Sequence, residues 1–180
     1  MELYATLQEQ VQDFDAVVRL LRPKIFRFAL ASLRDRDAAE TVTQDCFVKA
    51  YLARGQFRNE CSLQTWLMQI AVNLVRDRTR NRRLQFWKHR RQIVDVDFEE
   101  WLADRGRDPE ALTSTREQVR GIWRAAASLP ERQRTVFLLR FVEEMELLEI
   151  AAATGMKEGT VKTHLFRAVH AVRKKLGSSK

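Results

Sequence analysis

Helical periodicity runs through most of this chain and constrains its fold more than any other feature of the sequence. Apolar residues recur every three or four positions over long stretches, as they do on one face of an α-helix. Residues that break helices are scarce, with 6 glycines and 3 prolines among 180 residues. Because 45% of the residues are hydrophobic, the chain can bury one sizeable core or two small ones. The sequence therefore predicts an all-α protein.

Charge is segregated along the chain. From Arg54 to Arg91 the chain has ten lysines and arginines and only two acidic residues. From Asp95 to Glu117 it has eight acidic residues and three arginines. Helical periodicity is strong on both sides of the acidic stretch and weak within it. We therefore expect two small helical domains, over 10–84 and 117–177, joined by a flexible acidic linker over 85–116.

Composition narrows the classes of function. A formal net charge of +8 and a pI near 10.0 favour an anionic partner, most often nucleic acid and less often a membrane surface. Cys46 and Cys61 are too few and too far apart for a zinc site or a disulfide framework, so we expect no metal and no cofactor, with Cys46 a buried reduced thiol. The N-terminal segment does not resemble a signal peptide, and no apolar run approaches the roughly 20 residues of a membrane span. The expected location is the cytoplasm, without membrane insertion.

The first domain divides into helices by its apolar stripes. A stripe that begins at Phe14 is interrupted at Pro23 and continues from Ile25 to Leu33. Asp37 and Glu40 are spaced as a capping box and predict a helix running to about Ala53. After a loop, a further helix starts near Leu63. Its predicted buried face comprises Trp66, Ile70, Leu74 and Val75.

An arginine-rich stretch, NLVRDRTRNRR, ends this last helix. Asn73, Arg76, Arg80 and Arg83 fall within one narrow sector at about 100° per residue. Composition alone leaves open a solvated face in which Asp77 pairs with an arginine. Arginine suits bidentate phosphate contacts, and the preceding loop contains an aromatic and polar set that can stack on and read an unpaired base. That set is Phe57, Arg58 and Asn59.

The second domain contains a helix-turn-helix pattern. Pro130 stands at a helix start, LLEIAAATG predicts a short helix ended by Gly155, and the next helix opens near Glu158. Two helices joined by a tight glycine turn are typical of a motif whose second helix enters the DNA major groove. An ordinary αα-hairpin with a basic outer face is the alternative. The outward residues of the second helix are Lys162, Thr163, Phe166, Arg167 and His170.

Three segments in order carry a family resemblance: AETVTQDCFVKAY, FRNECSLQTWLMQIAVNLVRD and LPERQRTVFLLRFVEEMELLEIAAATGMKEGTVKTHLFRA. With them the chain resembles the extracytoplasmic-function (ECF, group IV) sigma factors of the sigma-70 superfamily. The resemblance implies region 2 and region 4 domains joined by a flexible linker. It also implies a protein that is not an enzyme, which binds core RNA polymerase and directs promoter-specific initiation at −35 and −10 elements.

The resemblance also implies the residues of each surface. The set that binds the polymerase β′ subunit is Glu40, Gln44, Asp45, Phe47 and Tyr51. The −10 set, which includes the loop that captures a flipped-out base, is Phe57, Arg58, Asn59, Ser62, Asn73, Arg76 and Arg80. The −35 set lies in and around the helix-turn-helix from Leu147 to Phe166 and comprises Lys157, Thr160, Lys162, Thr163, Phe166 and Arg167. Further expected partners are the polymerase β subunit, promoter DNA and an anti-sigma factor.

Some positions depart from the family pattern. Thr41 stands where an acid is usual, which puts one polar contact to β′ in doubt. Asn59 replaces a common glycine and Cys61 a common serine, which implies an altered base preference. Glu144 and Glu146 replace the usual Gly and Ser, and Lys157 occupies a usual N-cap position. Because a permissive glycine and a good N-cap are lost, we expect the turn before Leu147 to be built differently.

Two other functions are compatible with the same residues. A self-sufficient helix-turn-helix regulator would bind an operator without polymerase, using its first domain for dimerisation or sensing. A nucleic-acid enzyme would need a catalytic site, for which the sequence offers no phosphate-binding glycine loop, nucleophile motif or metal cluster. Tight operator binding by the free protein would favour the regulator, and promoter-specific transcripts with core polymerase would favour the sigma factor.

Overall fold

The computed structural model describes residues 14–85 and 112–177, with side chains over 14–81 and 119–177. Within these ranges the chain forms seven α-helices, a short 3-10 helix and no strand, which confirms the all-α prediction. The helices are α1 Phe14–Leu33, α2 Arg36–Ala53, α3 Leu63–Gln85, α4 Leu112–Ala127, α5 Glu131–Phe141, α6 Leu147–Thr154 and α7 Glu158–Gly177, and the 3-10 helix is Arg54–Gln56.

The boundaries of the predicted linker are only partly visible. Helix α3 extends to Gln85, and α4 already begins at Leu112, so the last five residues of the predicted linker are helical. The predicted flexibility of the linker concerns residues 86–111, which lie outside the described part of the chain. The two-domain division and its limits stay a prediction.

Helix α1 contradicts the predicted interruption at Pro23, because it continues through that residue. A proline inside a helix leaves the carbonyl four residues earlier without its hydrogen bond. Here both Pro23 and Arg19 are exposed, so water can satisfy that carbonyl. Leu21 and Ile25, on either side of the proline, are buried, and their packing holds the two halves in one helix.

Helix α2 ends at Ala53 as predicted but begins differently. Its N-cap is Asp35, whose Oδ1 accepts a hydrogen bond from the Ala38 backbone N–H at 3.0 Å. The predicted capping box of Asp37 and Glu40 is therefore wrong, since these residues lie inside the first turns. Arg34, just before the cap, has a positive φ of 54°.

Helix α3 starts at Leu63 as predicted, but its buried face is shifted. Trp66, Ile70 and Leu74 are half-buried, whereas Val75 is buried as predicted. The residues that sequence analysis missed lie one position further around the helix: Leu67, Met68, Ala71 and Val72. Helix α3 packs on α1 and α2 on one side and on α6 on the other, so its buried stripe is wider than a two-layer helix requires.

The helix-turn-helix consists of α6, a turn and α7. Gly155 ends α6 with a left-handed φ of 68°, as predicted, and α7 opens at Glu158. In the turn before α6, Glu144 and Glu146 take the two roles, a left-handed residue and an N-cap, that were expected to be lost. Glu144 itself adopts the left-handed region at φ 57°, and Glu146 begins α6 in a capping box in which its N–H donates to Glu149 Oε2 at 2.9 Å.

The two predicted domains pack against each other through one shared core. A single apolar cluster joins buried residues of the first domain, such as Leu67 and Met68, to Ile150 and Val161 of the second. A smaller cluster lies within the second domain and includes Ala126, Phe137, Ala168 and Val172. No described helix is both long enough and apolar enough to cross a membrane.

Candidate polymerase and promoter surfaces

The outer face of α2 is a mixed polar and apolar surface. Gln44 and Asp45 are exposed as predicted, and Tyr51 is 47% exposed. Sequence analysis missed Val48 and Leu52, which are 58% and 75% exposed. These five residues share a sector about 120° wide on the helix. The signal was available, because apolar residues at i, i+3 and i+4 stand on the side of α2 opposite its buried stripe.

Two predicted members of this surface take other places. Phe47 is buried and meets the Phe14 ring edge-on at 6.3 Å, so it supports α2 from inside. Glu40 is half-buried and forms a 2.7 Å ion pair with Arg22 of α1. Tyr51 is held in place, since Phe14 lies 5.3 Å from its ring and the Arg54 guanidinium stacks over it at 3.8 Å.

The loop over 57–62 has a defined conformation. Phe57 packs on Trp66 of α3 with ring centroids 5.0 Å apart. Ser62 caps α3, since its Oγ accepts from the Thr65 N–H at 3.1 Å and lies 2.8 Å from Thr65 Oγ1. Arg58 is exposed. An aromatic platform and an exposed arginine thus stand at the start of the loop.

Asn59 sits at the apex of this loop in a left-handed conformation, with φ 57°. Asparagine is one of the few non-glycine residues that adopt this region readily, so it can replace the glycine common in the family. Its Oδ1 is buried and has no hydrogen-bond partner within the described residues. A buried acceptor without a donor costs free energy.

The exposed face of α3 continues from this loop. Gln69, Asn73, Arg76 and Arg80 are all exposed, which confirms the predicted polar sector. Arg76 donates to Asn73 Oδ1 at 2.6 Å, and Arg80 pairs with Asp77 at 3.5 Å. Exposed pairs of this kind are weak and are easily exchanged for phosphate contacts. The side chain of Arg83 lies outside the described residues.

Helix α7 separates a buried face from a polar one as predicted. Val161, Ala168 and Val172 are buried, and Leu165 and Leu176 are half-buried. On the opposite face every member of the predicted −35 set is exposed, and Phe166, 75% exposed, stacks near His170. Lys162 pairs with Glu158 at 2.6 Å within the same helix. That face comprises Thr160, Lys162, Thr163, Phe166, Arg167 and His170, with Lys157 just before the helix.

His164 is half-buried and lies beside this face. Its Nδ1 is buried and lacks a partner among the described residues. Burial lowers its pKa, and the neighbouring charges of Arg132 and Arg167 lower it further. The two arginines therefore concentrate positive charge next to the polar face of α7.

The remaining titratable groups do not form a reaction centre in the described ranges. Cys46 is fully buried, as predicted, and burial raises the pKa of its thiol to about 12. No group of three or more potential metal ligands occurs in the part of the chain that the structure covers.

Two family models match the chain in the order of its domains. The Sigma-70 region 2 model matches residues 17–85, and the Sigma-70 region 4 model matches residues 120–172. Together they cover more than half of the chain; the first spans most of α1–α3, and the second lies within the range of α4–α7.

Similar proteins extend the match to nearly the whole chain. The ECF RNA polymerase sigma-E factor of Escherichia coli K12 is 33% identical over 181 residues, covering 94% of this chain and 92% of that protein. The ECF RNA polymerase sigma factor SigW of Bacillus subtilis is 29% identical over 167 residues, covering 91% of this chain and 88% of that protein.

Solved structures share the fold at lower identity. The sigma factor RpoE in complex with the anti-sigma factor NepR from Bartonella quintana has a TM-score of 0.70 at 22% identity, over 94% of this chain and 99% of that one. CnrH in complex with the cytosolic domain of CnrY has a TM-score of 0.70 at 20% identity, over 97% of both chains. From the two domain matches and the full-length similarity we conclude that the chain belongs to the ECF sigma factors of the sigma-70 family.

Proposed function

We propose that this protein is an ECF-type initiation factor, of group IV, which confers promoter specificity on core RNA polymerase in the cytoplasm and performs no chemistry itself. The observation that carries the proposal is the separation of three exposed surfaces. One is mixed and apolar, on α2, and two are cationic, on α3 with its loop and on α7. A protein that bridges an enzyme to two DNA elements needs such an arrangement.

The outer face of α2 is the proposed polymerase-binding surface. Its centre is apolar, with Val48, Tyr51 and Leu52, and its rim is polar, with Gln44 and Asp45. An apolar centre within a polar rim is the usual composition of a protein interface. Glu40 and Phe47 support this surface indirectly. Glu40 pairs with Arg22, and Phe47 packs beneath the surface.

The loop over 57–62 and the polar face of α3 form the proposed −10 surface. Phe57 and Trp66 provide rings on which an unpaired base stacks, and Arg76 and Arg80 follow the backbone phosphates. Asn73 lies between the loop and these arginines, on the same sector. Arg58, Asn59 and Ser62 complete the loop.

The polar face of α7 is the proposed −35 surface, which reads duplex DNA in the major groove. Arg167 and Lys162 can donate to guanine, and Phe166 and Thr163 can contact a thymine methyl group. Lys157 and Thr160 lie at the start of the helix, where backbone N–H groups face the phosphates.

An anti-sigma factor is the proposed regulatory partner. The two solved structures with TM-scores of 0.70 are complexes of sigma factors, one with the anti-sigma factor NepR and one with the cytosolic domain of CnrY. In this chain the apolar centre of the α2 face would otherwise stay exposed in the free protein.

Reconstitution with core polymerase tests the proposal. We expect the mixture to make transcripts from discrete start sites on genomic DNA, and the sequences upstream of those sites to define the −35 and −10 elements. Val48→Asp with Leu52→Asp should abolish these transcripts, because two charges would enter the interface core. Arg78→Ala, on an exposed part of α3 off the shared sector, is the matched control.

A stand-alone regulator predicts the opposite result. The free protein would then shift one operator tightly without polymerase, and the α2 variants would leave that binding unchanged. Such an outcome would contradict the proposed function.

A further inference from the structure

The strongest feature outside the proposed binding surfaces is the contact between the two domains. Arg27 of α1 donates two hydrogen bonds to Glu143, which follows α5, with Nε–Oε1 and Nη2–Oε2 distances of 2.8 and 2.7 Å. The Glu143 side chain is completely buried and the Arg27 side chain is 21% exposed. A charge pair that is buried this deeply stabilises the fold only when both partners keep the geometry of their hydrogen bonds. The pair therefore fixes one orientation of the second domain on the first.

A second polar contact reaches the −10 loop. Glu149 of α6 lies with its Oε1 3.2 Å from Thr65 Oγ1. Thr65 is buried and is joined to Ser62 at the end of the loop by a 2.8 Å hydrogen bond. Burial raises the pKa of the Cys61 thiol, and the charges of Glu60 and Glu149 raise it further. A carboxylate of the second domain thus stands at the base of the loop over 57–62.

Apolar packing reinforces both polar contacts. Helix α6 lies on α3, and Ile150 shares one buried cluster with Leu67 and Met68. Each of these side chains is fully buried. The free protein consequently has a closed form in which α6, the first helix of the helix-turn-helix, covers part of α3.

This closed form does not fit a promoter. By their own numbering the −35 and −10 elements lie about 25 base pairs apart, which is about 85 Å along the duplex. Helix α7 packs on α6, and α6 packs on α3. From helix lengths of about 30–35 Å and helix spacings of about 10 Å, the two cationic faces are separated by no more than about 60 Å.

We propose that the contact of Arg27 with Glu143 and of Thr65 with Glu149 is an autoinhibitory latch, which holds the free protein closed and is released before it binds both promoter elements. The latch rests on the promoter-binding function proposed above. If polymerase holds the two domains apart, α2 can bind it only after the closed form has opened. The apparent affinity for polymerase is then reduced by the fraction of molecules that are closed.

A double-mutant cycle tests the latch in the free protein. The variants are Arg27→Gln, Glu143→Gln and the double variant, with urea unfolding as the measurement. If the latch forms, the two effects are strongly non-additive, since the second substitution removes a partner already lost. Lys24→Gln is the matched control, because it removes one positive charge from α1 but its 2.7 Å bond to Gln64 lies inside the first domain. It should combine additively with Glu143→Gln.

Reactivity of Cys61 provides a second readout without an engineered probe. Cys46 is buried, so a disulfide reagent such as DTNB attacks Cys61 first. Opening removes Glu149 from the loop, so Glu143→Gln should raise the rate of reaction several-fold, whereas Lys24→Gln should leave it unchanged. Equal rates in all three proteins, together with additive unfolding energies, would overturn the latch.

Titration of core polymerase completes the test. If the open form is about 10% or less of the free protein, Glu143→Gln should lower the concentration giving half-maximal transcription by up to about tenfold. An unchanged concentration, despite coupling in the free protein, would also overturn the autoinhibitory role. Failure of every variant and of the wild type to support promoter-specific transcripts would instead contradict the proposed function.

Discussion

At the scale of single residues, two turns are held by non-glycine residues in the left-handed region of the backbone. Asn59 and Glu144 both adopt positive φ, at 57° in each case, where the family commonly has glycine. Asparagine is one of the few non-glycine residues that adopt this region readily. Each position therefore combines a backbone conformation that glycine adopts readily with a polar side chain.

Asn59 allows its conformation and its side chain to be tested separately. Asn59→Gly should leave the free energy of unfolding nearly unchanged, whereas Asn59→Ala should lower it by about 1–2 kcal/mol because alanine is strained at positive φ. Both variants lose the amide, so both should change the preference for the base captured at −10. Urea unfolding and transcription from templates carrying each of the four bases measure the two effects. Equal stability of the two variants would show that φ at position 59 is not constrained.

Cys46 makes the stability of the protein depend on alkaline pH. The folded protein retains the thiol proton up to a pKa of about 12, whereas the unfolded thiol loses it near its ordinary 9.0. Between these values the unfolded state binds fewer protons, so the free energy of unfolding decreases as pH rises, by up to about 1.4 kcal/mol per pH unit from this group. Urea unfolding from pH 7 to 10 should show a smaller decrease in Cys46→Ala. An identical pH dependence would contradict the burial of this thiol.

At the scale of elements, α3 and α7 each combine a buried stripe with a cationic face, but the faces suit different targets. Helix α3 follows a loop with an aromatic pair and bears arginines spaced along its length. Helix α7 is the second helix of a helix-turn-helix and exposes a phenylalanine beside an arginine. Periodicity within each helix was enough to predict both faces, because the period of the helix fixes them.

The two arginine faces should respond differently to substitution. Arg167→Ala should cost about 1–3 kcal/mol at promoters with a matching −35 base and little at others, if Arg167 forms a bidentate base contact. Arg80→Ala should weaken binding evenly across sequences and reduce the salt slope by about one, as expected for a phosphate contact. Holoenzyme binding measured at several salt concentrations distinguishes them, with Arg78→Ala as the control for α3. A sequence-dependent loss for Arg80 would contradict its proposed role.

At the scale of the whole molecule, the two domains share one apolar core. Trp66 of α3 and Trp123 of α4 both pack against the same apolar cluster, although they belong to different domains. The bidentate pair of Arg27 and Glu143 joins positions 116 residues apart. We infer that the free protein folds as a single body, although its surfaces act at separate places on a promoter.

Unfolding measured from each domain tests this cooperativity. The chain contains 4 tryptophans, so phenylalanine substitutions can leave Trp66 alone or Trp123 alone. The two fluorescence transitions in urea should have the same midpoint, which is the usual sign of two-state behaviour. Adding Glu143→Gln to both proteins should separate the midpoints. Different midpoints already in the parent proteins would show that the domains unfold independently.

The order of residues was sufficient to predict the helical class, most of the helix starts and ends, and the exposed faces of α3 and α7. These features depend on neighbours within one or two turns, which the order of residues specifies directly. The tertiary structure decided the continuity of α1 through Pro23, the burial of Phe47, the wider buried stripe of α3 and the docking of Glu143 on Arg27. Each depends on which helices lie side by side. A helical pattern shows that one face is apolar or charged, but packing decides which face is covered and by what.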